Sequence, residues 1–186
     1  MLGRDAPAFG PHVAGAEEEA GSGSQGVPTL SQEPKFIADC MLGKLARWLL
    51  ILGYDTAWAR GEDPGDLFLL ERARREDRIL LTRDARIPEV KGLRKLVLRS
   101  QRFEEQLRQV LKAFGLKPDP ARLFRRCTLC NVLIEAVAKE EVLAELPEKV
   151  RALDTGFFRC PACRRLYWTG THVENTLAKL KDAGII

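Results

Sequence analysis

Histidine is nearly absent from this sequence: two occur in 186 residues, His12 and His172. A Ser-His-Asp or Cys-His mechanism therefore has no convincing base, and a histidine-built metal site has no ligand set. A glycine-rich phosphate loop of the Walker or the dinucleotide type is missing as well. No stretch reaches ~18 consecutive apolar residues, the length a transmembrane helix needs. The longest greasy segment, Leu45 to Leu52, is interrupted by Arg47. The first residues contain no apolar core of a secretory signal, and the run Glu17-Glu18-Glu19 does not suit an Arg-rich transit peptide. The expectation is a soluble, cytoplasmic protein without membrane contact.

What is present supports a packed core. Hydrophobic residues make up 45% and charged residues 30%, with a mean hydropathy of -0.19. The length allows one ordinary domain, or a domain of about 100 residues with a small satellite. The net charge of +4 is unevenly spread. Residues 1–34 hold one basic and five acidic side chains and 6 of the 15 glycines, and include Gly21-Ser22-Gly23-Ser24-Gln25-Gly26. That composition predicts a disordered tail of net charge -4, leaving +8 on residues 35–186. A basic globular part tolerates or attracts a polyanion without naming one.

From Lys35 onward the pattern is regular. Phe36-Ile37-Ala38 predicts a strand ending at Asp39, and Leu42, Leu45, Ala46, Leu49 and Leu52 recur at helical spacing until Gly53. Tyr54 to Ala59 predicts a second strand, and residues 67–76 a helix with Leu67, Leu70 and Ala73 on one face. Ile79-Leu80-Leu81-Thr82 is a third strand and Lys95-Leu96-Val97-Leu98 a fourth. Ser100 is the expected N-cap of a helix over 101–114, ended by Gly115. Apolar strands alternating with helices predict an α/β fold with a parallel sheet covered on both faces. Ligands of such sheets bind outside the carboxyl ends of the strands.

Three carboxylates are candidates for that edge: Asp39 and Asp84, each directly after a strand, and Asp66 at the start of a helix. Asp39 and Asp66, taken singly, read equally as helix caps. Asp84 does not, since no helix begins there. Gathered carboxylates repel one another unless a divalent cation is bound. An oxygen-only set suits Mg²⁺ or Mn²⁺, and such sites serve phosphodiester chemistry. Cys40 beside Asp39 is expected to be a packed small residue, because a neighbouring carboxylate raises a thiol pKa.

The most specific local signal is a pair of C-x-x-C motifs, Cys127/Cys130 and Cys160/Cys163, with 29 residues between them. Two such knuckles supply four thiolates to one tetrahedral Zn²⁺, which leaves no open position and makes the metal structural. Disulfides are disfavoured in a reducing compartment. Arg125, Arg126, Arg159, Arg164 and Arg165 flank the knuckles, with Phe157, Phe158, Tyr167 and Trp168 nearby. Two readings stay open: the arginines neutralise the anionic cluster, or basic and aromatic residues together bind phosphate and stack on single-stranded bases. His172 reads as an ordinary surface residue.

The run Phe36-Ile37-Ala38-Asp39 through Leu42-Gly43-Lys44-Leu45-Ala46-Arg47-Trp48-Leu49, then Leu52-Gly53-Tyr54-Asp55-Thr56 and Ile79-Leu80-Leu81-Thr82-Arg83-Asp84, resembles the Mut-seven C-terminal RNase family, a PIN-like group. The two cysteine pairs and Tyr167-Trp168-Thr169-Gly170-Thr171-His172 match that family's C-terminal zinc ribbon. The resemblance spans nearly all of residues 35–175. It implies a PIN-like three-layer α/β/α sandwich with a mostly parallel sheet, and Mg²⁺- or Mn²⁺-dependent cleavage of RNA. Carried over by position, the acidic residues are Asp39, Asp66 and Asp84; a fourth is not evident, with Asp63 and Glu71 as candidates.

The expected organisation is a tail (1–34), a PIN-like nuclease domain (35–118), a zinc ribbon (119–175) and a C-terminal segment (176–186). In the mechanism this favours, Asp39, Asp66 and Asp84 hold one or two divalent metals, and an activated water attacks the phosphodiester in line. Lys44, Arg47 and Arg83 stabilise phosphate charge, although Arg47 equally reads as a solvated helix face. The partner is RNA, expected to be single-stranded. The competing reading is a non-catalytic RNA-binding adaptor that uses the ribbon and the basic surface. A phosphatase-like enzyme is disfavoured because no D-x-D follows the first strand.

Overall fold

The computed structural model describes residues 33–58 and 65–186. All but the last two residues of the expected tail, and Asp63, lie outside the described residues. The first half runs β1 (Lys35–Ala38), a 3-10 turn at Cys40–Leu42, α1 (Gly43–Ile51), β2 (Thr56–Trp58), α2 (Asp66–Arg75), β3 (Arg78–Thr82), β4 (Lys95–Val97) and α3 (Phe103–Ala113). The four strands form one sheet in the order β2-β1-β3-β4, with every pairing parallel.

Alternation along the strands divides the core into two layers, since successive side chains leave opposite faces. Phe36, Ala38, Ile79 and Leu81 join Leu45, Leu49, Leu107 and Val110 beneath α1 and α3. Ile37 and Leu80 meet Leu69, Leu70 and Ala73 of α2 on the other face. Both faces are therefore covered, which is why β1 and β3 are apolar throughout their middles. The expected three-layer α/β/α arrangement is present, followed by a small cysteine-bearing element.

Two boundaries differ from the sequence reading. β2 starts at Thr56 rather than at Tyr54, which is instead buried in the core with α1 residues, and Ala59 lies outside the described residues. The helix expected from residue 101 starts at Phe103 with Arg102 at the N-cap position; Ser100 Oγ accepts from the Arg102 N–H at 3.0 Å, shaping the turn before the helix.

Two glycines are sterically required. A Cβ on Gly43 would run into the Trp58 ring, so only glycine lets α1 start against the end of β2. Gly53 has φ +88° and would place a Cβ 2.6 Å from the Arg122 carbonyl oxygen, where the second half of the chain crosses the first.

The second half begins with a 3-10 turn at Pro120–Arg122 and contains β5 (Glu135–Val137), β6 (Phe157–Arg159) and β7 (Leu166–Trp168) as an antiparallel sheet. The long stretch between the cysteine pairs is filled by two short helices, α4 (Lys139–Val142) and α5 (Glu148–Arg151). Val142 and Leu146 pack there on Phe157, with Val150 and Trp168 against them. α6 (Thr171–Asp182) then leaves β7 and returns to the first core, where Leu180 and Ile185 are buried with the α1 and α3 residues.

Candidate functional site

The carboxyl edge of the parallel sheet brings Asp39 and Asp84 to one residue, Thr82. The fully buried Thr82 hydroxyl donates to Asp39 Oδ2 at 2.8 Å and accepts the Asp84 N–H at 2.9 Å. Asp39 is 7% exposed, and its Oδ1 accepts the Met41 N–H at 2.8 Å. The helix-cap reading of Asp39 therefore holds for the 3-10 turn, while its second oxygen faces Thr82. Asp66 is the first residue of α2, with Gly65 at the N-cap position, so it does not take the capping place. Its charge suits that end of the helix.

Asp84 begins a turn. Its Oδ1 accepts the Arg86 N–H at 2.8 Å, and the Arg86 guanidinium reaches both carboxylate oxygens, closest at 2.8 Å. These side-chain and backbone hydrogen bonds hold the Asp84 carboxyl down at about 2. The charge of Asp66 also acts on Arg86, so one guanidinium offsets repulsion between two of the three acids. Among the described residues, Asp39, Asp66 and Asp84 are not drawn into a cluster with ligand atoms within 4.8 Å of one another; the four cysteines are. Glu71 lies five residues beyond Asp66 on α2, about 7.5 Å further along the helix axis and away from this edge. Lys44 and Arg47 are exposed on α1, and Arg83 is half-buried between Thr82 and Asp84.

The cysteine centre is built from two equivalent turns. Asn131 N–H donates to the Cys127 carbonyl and Arg164 N–H to the Cys160 carbonyl, each at 2.9 Å. The residues following the second cysteines, Asn131 and Arg164, both adopt positive φ, 63° and 64°. The Cys127 and Cys163 sulfurs stand 3.7 Å apart, far beyond a disulfide bond of about 2 Å. Burial pushes the Cys127 thiol up, but Tyr167 O–H, donating at 3.1 Å, and the N–H groups of Cys130 and Leu129 stabilise its thiolate and bring it to about 6. Hydrogen bonding with Cys163, burial and the neighbouring Cys127 push Cys130 up to about 12. The four sulfurs lie within 4.8 Å of one another, close enough to share one cation. That donor set fits Zn²⁺.

The ribbon docks at the opposite end of the sheet from the acids. Asn131 Oδ1 accepts the Thr56 N–H at 3.1 Å, and Asn131 Nδ2 donates to Asp55 at 2.6 Å. Arg126 donates to the Gly53 carbonyl at 3.0 Å and to the Asn131 carbonyl at 2.7 Å. Thr56 begins β2, so this is the amino edge. Arg126 belongs to the docking interface and Arg159 pairs with Glu145 at 2.7 Å, while Arg125, Arg164 and Arg165 are exposed. Phe157 is buried in the second half's own core with Trp168 packed against it, and the Tyr167 hydroxyl serves Cys127. Asn131 and Asp55 are the residues sequence reasoning missed. Asn directly after a C-x-x-C knuckle was the available signal.

The chain matches the family model described as the Mut7-C RNAse domain over residues 34–180. It belongs to that family. Neither the curated proteins nor the solved structures include a match to it. The Mut7-C RNAse match covers both the parallel sheet and the cysteine centre, so the two form parts of one family unit, with RNA as the class of substrate. Among the described residues no helix is long and apolar enough to cross a membrane.

Proposed function

We propose that this chain is a Mg²⁺- or Mn²⁺-dependent ribonuclease in which Asp39, Asp66 and Asp84 form the catalytic edge. The observation that carries this is the Thr82 hydroxyl, which ties the Asp39 carboxylate to the Asp84 backbone at the carboxyl edge of the sheet in a member of an RNase domain family. The donor set is all oxygen, which suits a hard divalent cation. Such an ion, when bound, supplies activation of a water and stabilisation of the leaving oxygen. The chain's own residues set the stage. Thr82 and the Met41 N–H fix Asp39 in orientation, and Asp84, held near 2, is ionised at neutral pH. Lys44, Arg47 and Arg83 supply positive charge toward phosphate. Arg86 must leave Asp84 for that carboxylate to accept a cation.

We assign Zn²⁺ to Cys127, Cys130, Cys160 and Cys163 in a structural role. The nuclease domain is taken as 35–118 and the ribbon as 119–175, with cytoplasmic residence suiting four reduced thiols. One observation favours the adaptor reading: Arg86 engages both oxygens of Asp84. A paired experiment on wild type and Asp84→Asn separates the two readings. Wild type is expected to gain thermal stability with Mn²⁺, because a ligand of the folded state stabilises it, and to cleave single-stranded RNA; Asp84→Asn loses both responses. Equal Mn²⁺ stabilisation of the two proteins, or undiminished cleavage by the variant, would remove the assigned site, and absence of cleavage by wild type would leave the adaptor.

A further inference from the structure

The first turns of α1 and α3 lie side by side at the carboxyl edge, and their exposed residues differ in charge from Asp39 and Asp84 on the same edge. Lys44 and Arg47 are exposed on α1, and Arg99 and Arg102 are exposed where β4 gives way to α3. Beside these cations two half-buried aromatic rings are stacked: Trp48, which also packs against the first core, and Phe103, with centroids 5.2 Å apart and planes 18° from parallel. Lys44 Nζ stands 3.8 Å from the Phe103 centroid. The acids on this surface are few. Glu105 is 3.7 Å from Arg102 in a pair exposed to solvent, and Glu104 is its half-buried neighbour. Such an exposed pair holds its arginine weakly.

The position of this surface ties it to the site. The Leu98 N–H donates to the Thr82 carbonyl at 2.7 Å, so Arg99 follows directly on a residue bonded to the threonine that orients Asp39. Lys44 lies in the first turn of the helix that Asp39 and its 3-10 turn introduce. A strand passing the acidic edge on this face meets four cations and the Trp48–Phe103 stack.

We propose that Lys44, Arg47, Arg99 and Arg102, together with the Trp48–Phe103 stack, form a binding track for single-stranded RNA leading away from Asp39 and Asp84. The inference rests on the ribonuclease reading and deepens it. Cations spaced along a surface neutralise successive phosphates, and aromatic faces stack on unpaired bases without regard to sequence. A duplex keeps its base faces inside, so the stack selects single strands.

The test uses the full-length zinc-loaded chain carrying Asp84→Asn, so that RNA is bound without being cut, and a fluorescein-labelled 12-nucleotide single-stranded RNA. Binding is read by anisotropy as a function of salt, and base stacking by quenching of tryptophan fluorescence. The expected results are at least fivefold weaker binding in Lys44→Gln/Arg102→Gln, a shallower salt dependence, and loss of RNA-induced quenching in Trp48→Phe. Phe103→Leu, which keeps an apolar side chain in place, is expected to weaken binding with an unchanged melting temperature. Unchanged affinity in Lys44→Gln/Arg102→Gln, quenching that persists in Trp48→Phe, or equal binding of a duplex of the same sequence would overturn the track. Failure of the ribonuclease reading shows separately, as absence of cleavage of the same RNA by the wild-type chain with Mn²⁺.

Discussion

Arg78 opens β3, and its guanidinium reaches Asp55 at 2.5 Å, Glu76 at 2.6 Å and the Phe36 carbonyl at 3.2 Å. Burial works against ionised Glu76, but hydrogen bonds from Arg78 and Arg72 overcome it and hold the carboxyl at about 2, down from 4.5. A carboxylate whose pKa is depressed by folding stabilises the native state above its unfolded value, and that contribution is lost as pH falls toward the folded value. The melting temperature is therefore expected to drop between about pH 5 and pH 2 in part through Glu76. Glu76→Gln should be less stable than wild type at pH 7 and lose less on acidification. Differential scanning calorimetry at several pH values checks this; parallel curves for the two proteins would contradict it.

At the scale of elements, the cysteine turn meets the amino edge of the sheet through Asn131, with Arg126 beside it on the Gly53 carbonyl. Asn131 stands immediately after Cys130 in a left-handed conformation that glycine also adopts readily, and its amide bridges the buried Thr56 N–H and Asp55. Asn131→Gly keeps the backbone geometry and the four thiols but leaves the Thr56 N–H without its acceptor. The expected cost is about 1–3 kcal/mol, as for an unsatisfied buried donor, with zinc content unchanged at one per chain and faster hydrogen exchange at Thr56. With Zn²⁺ assigned to the four cysteines as proposed, Cys130→Ser should lose zinc and the same protection together, because metal binding and folding of such a knuckle are coupled. Protection at Thr56 that survives Cys130→Ser would show that docking does not depend on the metal.

On the scale of the whole molecule, the two halves are closed on each other twice, by the Asn131 interface and by α6. Leu180 is fully buried among α1 and α3 residues, and Arg108 of α3 donates to the Ala183 carbonyl at 2.7 Å. Leu180→Ala opens a cavity in the first core although Leu180 follows the ribbon in sequence. Urea denaturation is expected to show a loss of about 2–5 kcal/mol within one cooperative transition. A separate early transition that leaves the sheet unaffected would mean the halves unfold independently.

The sequence by itself determined the parallel α/β core, because apolar spacing of two and of three to four is a property of near neighbours: Phe36-Ile37-Ala38, Leu45 to Leu49 and Ile79-Leu80-Leu81 show it without reference to anything distant. The spacing of the cysteines likewise determined a four-thiol centre, since each turn is local. The Asp84–Arg86 contact was within reach too, as an Asp followed two residues later by a donor suits a local turn. Only the tertiary structure decided that the ribbon sits at the amino edge, away from the acids. Asn131 bonds a residue 75 positions earlier, and Arg126 a carbonyl 73 positions earlier. It also decided that Phe157 is buried with Trp168 against it, and that Trp48, packed on the first core, meets Phe103 between two helices. An aromatic side chain has the same composition whether it faces a core or a ligand, and its partners are set by which elements pack together rather than by its neighbours along the chain.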